Sequence, residues 1–355
     1  MKRLKKLFSS YWFNSLLIVG LAVLVLYLTL QNNSAEVLQM LKNADRGWLI
    51  LVAAMVIGIR LLNGLAIKWE CNLSFPQYTW LQGVVNAFTG GFFNEITPSA
   101  TGGQFAQVYI FRKQGIPASS AAGVLWMNFI LYQSTMVGSV FLLILLRFHH
   151  FYATYSQFFL IVILGFIVNS AVIVGLWAMG RFPKFYTWVC TTGVMIGSKL
   201  HLIKDKDKAI DSLNKQLDRF GREVDILRHH KEKIPQVVST HLLRLMLYYA
   251  IPYFCAKALH MPVDISALLD VLALSSFVSM VTSFVPLPGA SGGSEAVFVL
   301  MFSTIFGRNH VSAVMLIWRF MTYYFDMIAG GLVYLISKVR RAAALDQAFA
   351  QKERR

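Results

Sequence analysis

Long runs of apolar residues dominate this chain and limit the folds open to it. A helix needs roughly 20 apolar residues to cross a bilayer, whose hydrocarbon core is about 30 Å thick. Six stretches meet that requirement: Trp12–Leu30, Gly47–Ile67, Ala118–Leu146, Gln157–Gly180, Gln236–Leu259 and His310–Ser337. They predict an all-α integral membrane protein with about six full spans.

The composition excludes the other broad classes of protein. Apolar residues make up 56% of the chain and charged residues only 14%, whereas a soluble domain carries about 25% charged residues. The chain is too apolar to be disordered, and its basic residues are not arranged as in a nucleic-acid binder. Three scattered cysteines indicate neither a metal site nor a disulfide framework. We therefore expect no metal, no other cofactor and no nucleic-acid partner.

Two further apolar stretches, Tyr78–Phe111 and Ser266–Phe306, are each interrupted by proline and paired glycines. In the first, the returning arm Gly102–Phe111 is only about 15 Å long as a helix, which is half of the membrane thickness. We interpret both stretches as re-entrant helical hairpins, although the leading arm of the first is long enough to cross alone.

The distribution of basic residues predicts the orientation. With the N-terminus inside, six spans and two re-entrant hairpins place most of the 33 Lys and Arg residues on the cytoplasmic side, as the positive-inside rule requires. Both termini are then cytoplasmic, and the net charge of +16 requires no acidic protein partner. We predict one polytopic domain over residues 1–340, with a cytoplasmic loop at 199–235 and a cytoplasmic tail at 341–355.

Two cytoplasmic segments have a weaker pattern. The short apolar piece Phe182–Gly197 is expected at the membrane interface, where its aromatic residues fit. The loop after it carries a heptad-like apolar stripe from Ile210 to Leu227. That stripe predicts an amphipathic helix on the membrane or on the spans, or alternatively a coiled-coil contact with a partner.

The two hairpins carry an internal repeat. The first break reads PSATGGQ from Pro98 to Gln104, and the second reads PGASGGS from Pro288 to Ser294, so both follow the pattern P-x-A-[ST]-G-G. The repeat units cover about residues 78–146 and 266–337, and the predicted topology inverts one relative to the other. Inverted repeats with broken helices are how many transporters build a mid-membrane site. The alternative is a duplicated scaffold without transport.

Residues at the breaks suggest a site for an anion. Thr101 with Gln104 fits a capping box at the start of the first returning arm, and Ser291 with Ser294 is a looser version. Each arm would point its partly positive N-terminus toward the membrane centre, where a phosphate is a suitable ligand. Alternatively, the hydroxyls only cap their own backbone.

Charges within the apolar stretches are the second indication of a site, because each costs roughly 2.5 to 3.5 kcal/mol near the bilayer centre. Arg60, Arg244 and Arg319 lie inside spans, and the acids Glu95, Glu295, Asp270 and Asp326 accompany them. Arginine suits phosphate oxygens, and the acids suit a cationic headgroup or a coupling proton. The alternative is that these charges form internal ion pairs.

The segments Asn94–Gly123 and Phe284–Phe302, which contain the two breaks, resemble the transmembrane flippase-like domain of bacterial lysylphosphatidylglycerol synthases, also called multiple peptide resistance factors. The resemblance implies a bacterial-type inner-membrane protein that moves an aminoacylated or other polar phospholipid between leaflets. The synthases attach lysine with a separate C-terminal domain. This chain is expected to be a stand-alone member without that domain, and hence not an enzyme.

The sequence thus predicts a lipid translocase whose partners are membrane phospholipids, with a homo-oligomer or a separate lipid-modifying enzyme as further possible partners. The alternatives are an ion-coupled carrier of a soluble solute and a non-transporting partner of a lipid-modifying enzyme. No catalytic motif is present. The predicted substrate-binding residues are Arg60, Glu95, Ser99, Thr101, Gly102, Gly103, Gln104, Arg244, Ser291, Gly292, Gly293, Ser294, Glu295, Arg319 and Asp326.

Overall fold

The computed structural model describes residues 39–40, 42–97, 100–147, 159–182, 188, 191–192, 195, 225, 229–283, 290, 292–308 and 310–353. Every regular element in these residues is helical. The predicted first span Trp12–Leu30 lies outside the described residues, as do most of the interfacial segment Phe182–Gly197 and most of the loop 199–235.

Ten helices form this part of the chain. The first five are α1 Arg46–Cys71, α2 Trp80–Glu95, α3 Gly102–Lys113, α4 Ala118–Leu146 and α5 Phe159–Arg181. The next five are α6 Ile234–Ala258, α7 Leu268–Thr282, α8 Gly293–Phe306, α9 Val311–Arg319 and α10 Asp326–Glu353. Helix α10 therefore extends through most of the predicted tail.

Four helical segments in the described chain are long and apolar enough to cross a membrane, and their ranges are Arg46–Cys71, Ala118–Leu146, Ile265–Thr282 and Val311–Val339. Three of them match predicted spans. Helices α5 and α6 coincide with two more, although the histidine, arginine and tyrosines of α6 lower its hydropathy. The remaining segment is the leading arm of the second hairpin, so the re-entrant course of that hairpin stays a prediction.

The final predicted span is not one continuous α-helix. A π-helical segment, Phe320–Phe325, separates α9 from α10. It begins directly after Arg319 and ends directly before Asp326, two of the predicted site residues. Such π segments are rare and are frequent at functional sites.

The first hairpin consists of α2 and α3, which lie side by side and antiparallel. The Asn86 side chain donates to the Gln107 carbonyl oxygen at 3.2 Å. Nearer the tip, the Gly103 N–H donates to Asn94 Oδ1 at 3.0 Å. The predicted helical hairpin is therefore present, and polar side chains join its arms. The second hairpin consists of α7 and α8, which also contact each other.

The contacts of the two halves correspond to each other. Helix α1 packs on α2 as α6 packs on α7, and α3 packs on α4 as α8 packs on α9. The leading arm of each hairpin also packs on the long helix of the other half: α2 on α10, and α7 on α4. Among the described helices, only α5 lacks a counterpart.

Helices α1 and α6, which precede the two hairpins, form the central pair and are antiparallel. The Asp45 N–H, at the start of α1, donates to the Ala258 carbonyl oxygen at the end of α6 at 2.8 Å. Farther along, the Arg244 side chain on α6 donates to Asn63 Oδ1 on α1.

Helix α2 approaches α1 very closely at two glycines. A Cβ atom added to Gly83 would lie 2.2 Å from the carbonyl oxygen of Gly64. Only a residue without a side chain fits there, so this contact fixes the first hairpin against the helix that carries Arg60.

Candidate functional site

A cavity of about 850 Å³, lined by both polar and apolar residues, lies between the two halves. Helices α1 to α4 line it from the first half. From the second half, α6, the end of α7, the π segment and the start of α10 contribute. Six predicted site residues line this cavity: Arg60, Glu95, Thr101, Gln104, Arg244 and Asp326. The topology therefore brings together charges that are far apart in sequence.

Arg60 is the centre of an ion-pair cluster in the cavity wall. Its Nε donates to both carboxylate oxygens of Asp326, at 2.9 and 3.0 Å, and its Nη2 also contacts Asp326 Oδ2. Glu95 Oε1 lies 3.9 Å from Arg60 Nη2. Because Asp326 accepts three hydrogen bonds from the guanidinium and Glu95 accepts none, Glu95 is the more weakly engaged of the two acids.

Gly91 on α2 makes room for this guanidinium. A Cβ atom at residue 91 would lie 2.4 Å from Arg60 Cζ, so any side chain there would displace the arginine. On the far side of the cluster, the Tyr323 hydroxyl of the π segment donates to the Glu95 carbonyl oxygen at 3.0 Å. The first hairpin and the π segment thus hold the Arg60 cluster from both sides.

Arg244 differs from Arg60 in its partners. Its guanidinium donates to Asn63 Oδ1 and lies over the ring of Tyr132, 4.3 Å from the centroid. Both partners are neutral, and no acid in the described chain lies within salt-bridge distance of Arg244. The cavity wall therefore contains a positive charge that no carboxylate of the described chain contacts directly.

Arg319 and Glu295 form a second, separate ion pair. Arg319 Nε lies 2.8 Å from Glu295 Oε1, and the guanidinium lies over the Tyr323 ring at 4.1 Å. The other oxygen of Glu295 accepts from the Gly292 N–H at 2.7 Å and from the Ser294 hydroxyl at 2.8 Å. Arg319 and Glu295 are both buried, so this pair anchors the start of α8 and is not part of the cavity lining.

The predicted capping box of Thr101 and Gln104 is wrong. Thr101 makes no side-chain cap hydrogen bond at the start of α3. Residues on the preceding side of the break cap this helix: Thr97 Oγ1 accepts from the Gly102 N–H at 2.9 Å, and Asn94 Oδ1 accepts from the Gly103 N–H. The chain folds back tightly enough for the end of α2 and the turn after it to supply the caps.

The start of α8 is capped in a related way. Gly292 is the N-cap residue, and its N–H donates a hydrogen bond to the carboxylate of Glu295. The looser box predicted for Ser291 and Ser294 is not tested, because Ser291 lies outside the described residues. In both hairpins, N–H groups that were predicted to bind a phosphate donate to side-chain oxygens of the chain itself.

The family model for the transmembrane region of lysylphosphatidylglycerol synthases matches residues 12–330. This range includes both hairpins and every residue of the cavity lining. The protein belongs to the lysylphosphatidylglycerol synthase transmembrane-region family. Comparisons with curated proteins and with solved structures give no significant match. Membership and the apolar helices make it a multi-pass membrane protein related to lipid handling.

Not every predicted residue of this family member lies in the cavity wall. Seven described ones do not line it, and they are Gly102, Gly103, Gly292, Gly293, Ser294, Glu295 and Arg319. Ser99 and Ser291 lie outside the described residues. These residues have partners within the two breaks. The N–H groups of Gly102, Gly103 and Gly292 donate to capping oxygens, and Arg319 pairs with Glu295. Asp270 is also remote, because it pairs with Arg147 at 2.5 Å.

Sequence reasoning missed several polar residues of the family member's cavity. The cavity wall also contains amide side chains and two tyrosines, namely Asn63, Asn94, Gln107, Asn128, Tyr132, Gln133, Asn169 and Tyr248. Their signal was present, because amides within apolar stretches need hydrogen-bond partners as charges do. Charge alone does not identify these neutral residues.

Proposed function

We propose that this protein moves a phospholipid with a polar headgroup between membrane leaflets, the headgroup passing through the cavity while the acyl chains stay in the bilayer. The observation that carries the proposal is a cavity of about 850 Å³ with charged walls inside an otherwise apolar bundle. Family membership supports a role in lipid handling.

Arg244 is the proposed ligand of the lipid phosphate. A guanidinium offers a planar fork that matches two phosphate oxygens. Arg60 and Arg319 already have carboxylate partners, whereas the described partners of Arg244 are neutral. A phosphate entering the cavity would supply the missing counter-charge.

Glu95 is the proposed contact for a cationic part of the headgroup. The Arg60 cluster contains two acids and one arginine, so its formal charge is negative when all three groups are ionised. Glu95 is the acid farther from the guanidinium. A zwitterionic or aminoacylated headgroup would place its phosphate at Arg244 and its amine at Glu95.

Exposed apolar residues at the cavity favour a lipid over a soluble solute. Phe105 on α3 and Val172 on α5 both line the cavity, yet Phe105 is 78% exposed and Val172 is 38% exposed. In a membrane, such side chains would face acyl chains. A carrier of a soluble solute would have no use for an apolar opening toward the bilayer.

We also propose that the two hairpins are re-entrant and that the halves form an inverted repeat, with the N-terminus inside. The antiparallel packing of α1 and α6 supports this arrangement, as does the correspondence of contacts between the halves. A cavity between inverted halves is reachable from either face when one half rocks against the other.

The direct test is lipid movement in vesicles. Purified protein is reconstituted with fluorescent phospholipids, and a membrane-impermeant quencher reports how fast they change leaflet. We expect the protein to accelerate this movement. Arg244→Gln should reduce the rate about tenfold or more, because a charged hydrogen bond contributes about 1.5–3 kcal/mol.

Arg112→Gln is the matched control, because Arg112 is exposed and does not line the cavity. It should transport as the unchanged protein does. If the protein accelerates movement of no phospholipid, or if both variants behave alike, the proposal fails. Absence of flux together with co-purification of an acyltransferase would indicate a non-transporting partner instead.

A further inference from the structure

Glu70 is a buried acid to which the proposed lipid path assigns no role. It lies one residue before the end of α1 and is only 1% exposed. Apolar residues of α1, α4 and α6 form a small cluster beside it, made of Ala66, Met127, Leu131 and Val237. The carboxyl group is therefore shielded from water at an end of the bundle.

The carboxyl group of Glu70 has little to stabilise a negative charge. Asn128 Nδ2 donates to Glu70 Oε2 at 2.8 Å. Its other oxygen, Oε1, has no hydrogen-bond partner among the described residues. Within the same part of the chain, no Lys, Arg or His nitrogen lies within 4 Å of this carboxylate.

The titratable groups of α6 form no ion pair with Glu70, although Arg244 is close enough to attract its carboxylate through space. Arg244 on α6 is engaged by Asn63 and by the Tyr132 ring. His241, also on α6, is fully buried, and neither ring nitrogen has a partner in the described structure. A protonated imidazole in that position would itself be an unpaired buried charge.

A carboxylate buried without a counter-charge is far more costly than a neutral acid whose hydroxyl lacks one acceptor. We propose that Glu70 is a proton-binding site, with the exchangeable proton on Oε1. Asn128 connects this site to the cavity, because it holds Oε2 and also lines the cavity wall. Resting on the proposed function, the inference adds that headgroup movement is coupled to protonation of Glu70.

The test is labelling by dicyclohexylcarbodiimide, an apolar reagent that modifies protonated carboxyl groups in membranes. Full-length protein in vesicles is treated at neutral pH, and each modified residue is located by mass spectrometry. We expect an adduct on Glu70 that decreases as the pH is raised and is lost in Glu70→Gln. Asp326 and Glu295 are internal controls, because each carboxylate forms an ion pair with an arginine.

Two results would overturn the site: labelling of Glu70 no stronger than that of Asp326, or protection of Glu70 by sodium, which would indicate a metal cation in place of the proton. Circular dichroism of Glu70→Gln checks that the variant is folded. Coupling of lipid movement to protonation is measured separately. An imposed pH gradient should accelerate lipid movement, and Glu70→Gln should abolish this acceleration. Labelling without any lipid movement would refute the proposed function and leave the proton site intact.

Discussion

At the scale of single residues, three arginines that look equivalent in sequence have different surroundings. Arg60 and Arg319 are neutralised by Asp326 and Glu295, whereas Arg244 faces neutral groups. The predicted internal ion pairs are therefore present for Arg60 and Arg319. For Arg244, binding of a ligand stays a prediction.

The sequence was sufficient to find these charges, because each is costly in an apolar stretch. It was not sufficient to pair them. The sequence places Asp326 on the same helical face as Arg319. In the structure the π segment lies between them, and Asp326 pairs with Arg60 instead. Partners so distant in sequence are set by tertiary packing, which periodicity does not record.

The pairing of Arg60 with Asp326 predicts a thermodynamic coupling. Asp326→Asn should destabilise the protein by about 3–5 kcal/mol, because it leaves the Arg60 charge buried with only Glu95 at 3.9 Å. Removing both charges with Arg60→Met and Asp326→Asn should restore part of that loss. Thermal unfolding of the purified protein in detergent measures both effects.

Arg112→Gln is again the control and should leave the unfolding temperature unchanged. A double variant whose loss equals the sum of the two single losses would show that the two side chains act independently, which contradicts the ion pair.

At the scale of elements, the sequence predicted the first hairpin and misassigned its caps. Proline and paired glycines mark a break, and the break is present between α2 and α3. The capping pattern pointed to Thr101 and Gln104, because that rule considers only residues next to the helix start. The caps come instead from Asn94 and Thr97 across the turn, which only the folded tip reveals.

This reassignment predicts different effects of two similar substitutions. Thr97→Val removes the oxygen that accepts from the Gly102 N–H and should cost about 1 kcal/mol of stability, as loss of a helix cap does. Thr101→Val makes the same chemical change at a residue without a cap hydrogen bond. It should leave the protection of the Gly102 N–H against hydrogen exchange unchanged, whereas Thr97→Val should reduce that protection.

Thermal unfolding of Thr97→Val and hydrogen–deuterium exchange of both variants in the same detergent are the measurements. A larger loss of Gly102 protection in Thr101→Val than in Thr97→Val would restore the capping box predicted from the sequence.

At the scale of the whole molecule, the predicted repeat has a counterpart in the contacts, but the cavity is unequal. Both halves contribute helices in corresponding positions. From the first hairpin both arms line the cavity, whereas the described part of the second contributes only the end of its leading arm, at Ser279, Thr282 and Ser283. The repeat motif indicated matching loops and could not reveal that one break is used for internal anchoring.

The proposed lipid movement requires a phospholipid headgroup to occupy the cavity at Arg244. The most direct measurement is mass spectrometry of lipid retained by the purified protein, compared among the unchanged protein, Arg244→Gln and Arg112→Gln at equal amounts of folded protein. We predict that the unchanged protein and Arg112→Gln retain the same phospholipid and that Arg244→Gln loses it. Equal retention by all three, or no phospholipid on any of them, would contradict binding of a phospholipid headgroup at Arg244.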